Sequence, residues 1–381
     1  MSSSRLGRVS DLVRGWVSEG VPQTMVVVIA RRGTIVLHEA FGPLTPDPRG
    51  PRAPRGAVFE LASITKVLSA TALMTLVEDG RVGLNRPVSM YIPEFQGPGK
   101  EAVLVRHLLT HTSGLKPPAV EAYAEGPGAG ISIPPTPPTL HPLFHEYLYR
   151  RYGAPLSTAP GEEMCYGSIN LDLAADIVRR VSEASLDRYA EERIFQPLGM
   201  KDTHYCRMDV PPSRRVIEPE STSQPAPWWR EGMTTDTERF YMGGNFAWST
   251  ALDLAIFGQM FLNGGDYGDA RILSPVTVEV MTRDQTRGIA AEFFGQKFPE
   301  SSWGLGWGVA GSKAGWNGAL PSARTFGHIG SGGVELWADP VNELVVADLS
   351  STVQLGYTTV DWAKSWRNDL LSDAVMAAIT D

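Results

Sequence analysis

The chain has 381 residues, of which 43% are hydrophobic and 20% charged, and its formal net charge is −8. This length accommodates two subdomains with a substantial core, and the composition is that of an ordinary globular protein. The acidic balance, without a basic stripe, argues against a nucleic-acid partner.

Apolar residues at helical spacing predict an amphipathic first helix over residues 5–20. Two strand-like runs follow at 25–30 and 35–41, and the Gly-containing residues between them indicate a hairpin. The run at 67–77 is almost wholly uncharged, which predicts a helix buried on all sides. A helical pattern also covers residues 171–181.

The other end of the chain repeats the strand pattern at 325–329, 334–339 and 344–349, and a closing helix is predicted over 361–379. We expect strands from both chain ends to join one antiparallel sheet, which the first and last helices cover. The predicted fold class is therefore α/β, with an inserted, mainly helical domain.

The predicted domain boundaries follow from this organisation. The α/β sheet domain comprises residues 1–80 and 240–381, and the helical domain comprises residues 81–239. Two stretches of the helical domain, 116–142 and 209–239, are rich in proline and predicted to be irregular. Loops of this length act as lids or connectors. The sequence leaves open whether they cover a site or contact a second subunit, and a homo-oligomer is one alternative.

The most informative local pattern is a serine and a lysine at the start of the uncharged helix, Ser63 and Lys66. Residues three apart on a helix lie on the same face. A serine hydroxyl becomes a good nucleophile when a neighbouring base takes its proton. A lysine can be that base if burial keeps its amine neutral. The pair therefore predicts nucleophilic catalysis at the mouth of a dry interior.

Two further segments support this interpretation. Tyr166 and Ser168 lie in a turn-rich stretch, and His328 and Gly330 lie in a Gly-rich stretch between strand-like runs. Ser-x-x-Lys, then Tyr-x-Ser or Tyr-x-Asn, then His- or Lys-x-Gly is the motif order of penicillin-recognising serine enzymes. Other segments that match the family are 108–115, 195–203, 243–254 and 303–307.

Together these motifs resemble the class C β-lactamase-related serine hydrolase superfamily, and are closest in type to the family VIII carboxylesterases. The resemblance implies a β-lactamase/transpeptidase-like fold and an acyl-enzyme on Ser63. It implies that Lys66 accepts the serine proton, alone or together with Tyr166, whose ordinary pKa is about 10. The backbone N–H groups of Ser63 and Ser331 would form the oxyanion hole.

Two departures from the lactamase pattern bear on the substrate. Ser168 stands where the family usually has an asparagine, and His328 stands where it usually has a lysine. Both changes weaken recognition of a β-lactam or peptide and suit a neutral ester. Residues expected to contact the substrate are Ser168, His328, Gly330, Trp228 and Trp248.

The sequence thus predicts a serine hydrolase that cleaves carboxylic esters, with lactones and bulky aromatic esters among the candidates. The alternatives are an acyltransferase that uses the same acyl-enzyme, a β-lactamase or D-amino-acid peptidase, and a catalytically silent binding protein. No cofactor is implied. The histidines show no paired spacing typical of a metal site. A nucleophile-elbow Gly-x-Ser-x-Gly is also missing from the chain, which argues against an α/β-hydrolase.

Localisation is predicted from the first residues and from the cysteines. The beginning of the chain has no apolar signal core, and the run at 25–30 is too short to cross a bilayer. The two cysteines, Cys165 and Cys206, give no disulfide framework. We therefore expect a cytoplasmic protein that acts on a small molecule and has no membrane partner.

Overall fold

The structure, a computed structural model, describes residues 1–217, 240–293, 296–311, 318–351 and 367–381. Its strands are β1 (Thr24–Arg31), β2 (Thr34–Phe41), β3 (Phe59–Glu60), β4 (Met164–Cys165), β5 (Trp248–Ser249), β6 (Asp266–Tyr267), β7 (Ala270–Arg271), β8 (Ala291–Phe293), β9 (Gln296–Phe298), β10 (Gly308–Val309), β11 (Phe326–Gly330), β12 (Val334–Asp339) and β13 (Leu344–Ser351). Its helices are α1 (Ser3–Ser18), α2 (Thr65–Glu78), α3 (Val105–Leu109), α4 (Pro117–Glu125), α5 (Pro142–Tyr152), α6 (Ser168–Ser182), α7 (Leu186–Ala190), α8 (Gln196–Leu198), α9 (Ala251–Leu262), α10 (Pro275–Thr282) and α11 (Asn368–Met376).

The main sheet is antiparallel and has the strand order β10-β11-β12-β13-β1-β2. Its central pair joins the two ends of the chain, from Thr24 opposite Ser351 to Arg31 opposite Leu344. Every residue of β1 and of β13 is buried, which explains why both read as continuous apolar runs. The predicted α/β fold, with one sheet built from both chain ends, is confirmed.

Helices cover both faces of this sheet. α1 and α11 lie on one face, where Val9 and Leu371 pack with Val27 and Val346. On the other face, Val26 and neighbouring strand residues belong to the large core that also contains α2 and α9. α2 is buried from Thr65 to Leu76, as its uncharged sequence predicts. It thereby carries the predicted nucleophile region into the interior.

Several predicted boundaries differ from those observed. α1 begins at Ser3 because the side chain of Ser2 accepts a hydrogen bond from the N–H of Arg5. The closing helix is α11, which is shorter than predicted within the described residues, and 361–366 lie outside them. Part of the stretch 116–142, predicted to be irregular, forms α4 instead. Its prolines occupy the first helical turn, where a missing N–H costs no hydrogen bond.

The remaining organisation stays a prediction. Residues 218–239 of the second proline-rich stretch lie outside the described part of the chain. The division into a sheet domain and a helical domain also stays a prediction. Both cysteines are buried, and neither forms a disulfide bond.

Candidate active site

The structure brings Ser63 and Lys66 into contact. Ser63 lies in a short 3-10 turn, Ala62–Ile64, that leads directly into α2. Lys66 Nζ lies 3.0 Å from Ser63 Oγ, as the spacing along one helix face predicts. The preceding residue, Ala62, has a φ of 43°, a left-handed conformation that residues with a Cβ rarely adopt. This sharp entry places Ser63 half-buried at the end of a fully buried helix.

The amine of Lys66 is fully buried and has three oxygen neighbours. Besides Ser63 Oγ, Nζ lies 3.2 Å from Ser168 Oγ and 2.7 Å from the carbonyl oxygen of Gly244. Burial lowers the pKa of this amine to about 7, against the opposing effect of the Asp172 carboxylate. A neutral amine has two N–H groups and one lone pair. It can therefore donate to Gly244 and Ser168 while it accepts the hydroxyl proton of Ser63.

A glycine pair, Gly243 and Gly244, lies between α2 and α6, and the carbonyl that accepts from Lys66 belongs to Gly244. A Cβ on Gly244 would lie 2.9 Å from the Cβ of Ser168, so only glycine fits this close approach. The N–H of Gly244 donates to Asp172 Oδ1 across 2.8 Å. Next to the pair, Asn245 Nδ2 donates to Ser168 Oγ, also across 2.8 Å. Sequence reasoning assigned no role to Gly244, Asn245 or Asp172.

Tyr166 lies beside Lys66. Its ring centroid is 5.0 Å from Lys66 Nζ, and its ring stacks on Phe293 at 5.4 Å. The backbone fixes this position, because β4 pairs with β8 and the N–H of Tyr166 donates to the carbonyl of Glu292. The three predicted catalytic side chains, at 63, 66 and 166, therefore converge around one amine.

His328 lies on β11 and is buried to 2% exposure. Its Nδ1 lies 2.7 Å from the carbonyl oxygen of Ile329, which can only accept, so Nδ1 carries the proton and Nε2 is an acceptor. Burial, with the nearby charge of Lys66, lowers the pKa of His328 to about 3. The side chain that stands in place of the family's usual lysine is therefore neutral. The imidazole is 5.6 Å from the ring of Trp303 and 6.1 Å from that of Tyr166.

His111 also packs its ring against that of Tyr166, with the ring centroids 4.7 Å apart. Its carbonyl accepts from the N–H of Cys165. Its Nδ1 is 3.3 Å from Asn170 Nδ2, so Nδ1 is the acceptor and the ring is neutral. Burial lowers its pKa well below the ordinary value. The turn at His111 thus holds both the backbone and the ring of the Tyr166 segment.

The end of β11 approaches the segment that carries Ser63. A Cβ on Gly330 would overlap the carbonyl oxygen of Leu61 and lie 2.6 Å from Val334 Cγ2. Glycine therefore permits a contact that no other residue allows. Ser331 follows directly and is half-buried. The oxyanion hole predicted from the N–H groups of Ser63 and Ser331 remains a prediction, and this approach supports it.

Of the two tryptophans predicted to contact the substrate, Trp248 is the one that the structure describes. Trp228 lies outside the described residues. Trp248 packs with Val58 and Val210 in a small apolar cluster, and the described contacts give it none with the three catalytic candidates. Strand pairing on β5 fixes this position, because Trp248 lies opposite Glu60 of β3. The tryptophan that packs against Tyr166 is Trp303, at 5.8 Å.

The described residues contain no group of three or more potential ligands that could hold a metal ion. Within the same residues, none of the helices combines the length and the apolar character that a membrane span requires.

A nucleophile-and-lysine pair on a buried helix, beside a sheet built from both chain ends, defines an enzyme of the β-lactamase-like serine hydrolase class. A family model described as Beta-lactamase matches residues 10–367, so the chain belongs to this family. The resemblance inferred from the motifs is confirmed.

Similar proteins include curated relatives and solved structures. A Salmonella schwarzengrund protein named "Putative D-alanyl-D-alanine carboxypeptidase" is 28% identical, over 92% of this chain and 83% of its own. A penicillin-binding protein homologue from Caulobacter crescentus is 21% identical with a TM-score of 0.77, and the match covers 100% of this chain and 99% of that one. A family VIII carboxylesterase is also 21% identical, with a TM-score of 0.76 over 100% and 99% of the two chains. At this identity the two structures establish the fold alone.

Proposed function

We propose that this enzyme hydrolyses neutral carboxylic esters through an acyl-enzyme on Ser63. The observation that carries the proposal is the contact of Ser63 with a buried amine, 3.0 Å away, whose pKa is about 7. Near neutral pH a large fraction of this amine can accept a proton. General bases work best when their pKa lies near the working pH.

Acylation begins when Ser63 Oγ forms a bond to the ester carbonyl carbon and its proton moves to Lys66 Nζ. The negative charge on the carbonyl oxygen is stabilised by the N–H groups of Ser63 and Ser331, which together form the proposed oxyanion hole. Each such donor contributes about 3–4 kcal/mol at the transition state. The tetrahedral intermediate then collapses, and the bond to the alcohol oxygen breaks.

Tyr166 is the group proposed to protonate the departing alkoxide, and it regains a proton from the ammonium of Lys66. A water molecule then gives a proton to the Tyr166 and Lys66 pair as it attacks the acyl carbon. The acid leaves, and the Ser63 oxygen is reprotonated. The two residues exchange protons within one site, so the base of each step belongs to the pair.

The preference for a neutral ester rests on charge. His328 is neutral, and Ser168 replaces the amide that grips an acylamino group in the lactamases. Lys116, close to the Tyr166 segment, is 2.7 Å from Glu163 and 3.2 Å from Glu292, so two carboxylates neutralise its charge. This charge distribution disfavours the carboxylate of a β-lactam or a peptide terminus.

A D-alanyl peptidase is the second candidate, and the name of the Salmonella relative favours it. Such a peptide ends in a carboxylate, which needs a cation in the site. An acyltransferase is a variant of the first candidate, because an alcohol or amine then replaces water in the second step. The lactone and aromatic ester substrates are alternatives within the ester class.

The test combines labelling with a substrate panel. Mass spectrometry after treatment with a fluorophosphonate should find one adduct on Ser63, and Ser63→Ala should remain folded and unlabelled. The panel contains p-nitrophenyl esters, a lactone, nitrocefin and an N-acyl-D-Ala-D-Ala peptide, with and without an added alcohol. We expect the esters to react fastest. Failure to label Ser63 would favour a silent binding protein, and faster release of D-alanine would establish the peptidase.

A further inference from the structure

Asp172 is a buried carboxylate that lies behind the site and belongs to none of the catalytic motifs. It lies on α6, one turn after Ser168, and its side chain is fully buried. Oδ1 accepts from the N–H of Gly244 at 2.8 Å, and Oδ2 accepts from the Tyr147 hydroxyl at 3.1 Å. A buried carboxylate is costly unless it is paired and hydrogen-bonded, so its position here calls for an explanation.

Gly244 connects this carboxylate to the base. Asp172 holds the N–H of Gly244, and the carbonyl of the same residue accepts from Lys66 Nζ at 2.7 Å. Gly244 has little freedom to move, because it lies against Ser168 on α6. Asp172 and Ser168 together therefore fix the oxygen that orients the amine.

The charge of Asp172 also acts on Lys66. The titratable and charged groups that face these two side chains are Tyr166 after β4, Tyr147 and Arg151 on α5, His111 before α4, and His328 on β11. Both imidazoles are held neutral by burial, and Arg151 is paired with Glu121 at 2.5 Å. Asp172 is therefore the carboxylate that opposes the desolvation of the amine.

We propose that Asp172 is a positioning residue that acts through Gly244 and Lys66: it fixes the orientation of the amine and keeps it basic enough to take the proton of Ser63. Burial alone would make the amine too weak a base for this step. The proposal rests on the proposed function, because it requires Lys66 to activate Ser63.

The test uses Asp172→Asn, which keeps an oxygen for the N–H of Gly244 but removes the charge. The rate of fluorophosphonate labelling of Ser63 is measured against pH. In wild type the labelling rate should rise with pH until Lys66 is neutral, and we call this rise the acidic limb. Loss of the charge should move the midpoint of the acidic limb about one pH unit lower, as expected for loss of a nearby opposite charge. The plateau rate should fall about tenfold, because the amine is then a weaker base.

Asp176→Asn is the matched control. Asp176 lies one turn further along α6, is equally buried, and accepts from the Tyr152 hydroxyl at 2.6 Å. Its charged partners are Arg179 and Arg180, not Lys66. This variant should lower the thermal stability without moving the acidic limb. The proposal would be overturned if the acidic limb had the same midpoint pH in Asp172→Asn, Asp176→Asn and wild type.

Tyr147→Phe keeps the proposal testable if Asp172→Asn does not fold. It removes one hydrogen-bond donor to the carboxylate, so Asp172 ionises less readily. The midpoint of the acidic limb should then move to lower pH, by less than in Asp172→Asn. A limb that stays in place or moves up would contradict the proposal. If wild-type Ser63 is not labelled at all, the proposed function itself fails. A labelled wild type with unshifted variants refutes only the role of Asp172.

Discussion

The amide of Asn245 donates a hydrogen bond to Ser168 Oγ across 2.8 Å. An amide therefore lies next to the base, although the position two residues after Tyr166 is a serine. The amide comes from the segment that follows the glycine pair, and not from the segment that carries the tyrosine. Ser168 is thereby held between Asn245 and Lys66.

Asn245→Leu removes this donor while it preserves most of the side-chain volume. Ser168 then loses one of its two partners, and the amine of Lys66 loses a fixed neighbour. We expect kcat/KM to fall about tenfold, in line with about 1–1.5 kcal/mol for one hydrogen bond. Asn263→Leu, at the end of α9, is the control on an exposed hydrogen bond. Equal activity of the two variants would contradict a role for Asn245.

The pH dependence of ester hydrolysis follows from the burial of Lys66. The ammonium form cannot accept the proton of Ser63, so kcat/KM should rise with pH through about 7 and then level off. His328 is already neutral throughout this range, since its pKa is about 3. Lys66→Met should lower the rate about 10²–10⁴-fold and abolish the limb. A limb that persists in Lys66→Met would assign the titration to another group.

Gly330→Ala tests the close approach of β11 to the Ser63 segment. The added methyl group would meet the carbonyl of Leu61 and Val334 Cγ2, so the strand end must shift. We expect a loss of stability of about 1–3 kcal/mol and a larger relative loss of activity. Gly15→Ala on α1 is the matched control, because nothing lies within 4 Å of its added Cβ. Unfolding in denaturant and ester turnover measure the two effects separately.

A pair of buried acids lies on the face of the sheet that α1 and α11 cover. Glu335 and Asp348 are opposite each other on β12 and β13, and both oxygens of Asp348 have no hydrogen-bond partner among the described residues. Burial raises the pKa of both groups well above the ordinary values. In the folded state they keep their protons to a higher pH than in the unfolded state, where they ionise above their ordinary pKa values.

The stability contributed by this protonated pair is therefore present at low pH and lost as the pH rises above the ordinary carboxyl range. Asp348→Asn should raise the melting temperature at pH 8 and change it less at pH 4. Glu279→Gln, at an exposed position on α10, serves as the control. If the melting temperatures of wild type and Asp348→Asn changed with pH in the same way, the buried pair would not be the source of this pH dependence.

Local patterns were sufficient to predict Ser63 and Lys66, since their contact depends only on helix geometry. Short apolar runs likewise predicted the strands of the central sheet closely. Asp172, Gly244 and Asn245 were missed because their contacts with one another and with Lys66 join segments far apart along the chain. One signal was present: Asp172 is four residues after Ser168 and lies between Leu171 and Leu173 in a helical pattern. A charged residue at such a position calls for a partner.

The tryptophans illustrate a different limit. Position along the chain made Trp248 a candidate for substrate contact, since its segment could border the cleft. Strand pairing puts it elsewhere, because β5 holds Trp248 against β3, whereas Trp303 packs on Tyr166 and His328. Pairing of short two-residue strands leaves no periodic signal in a sequence.

The pairing of β1 with β13 has a consequence for biosynthesis. The nucleophile is translated well before the strand end that approaches it, around Gly330. A nascent chain that stops before β11 would carry Ser63 and Lys66 without the neighbouring backbone. Such a chain lacks the close approach of β11 to the Ser63 segment, so we expect turnover only from molecules whose central sheet is complete.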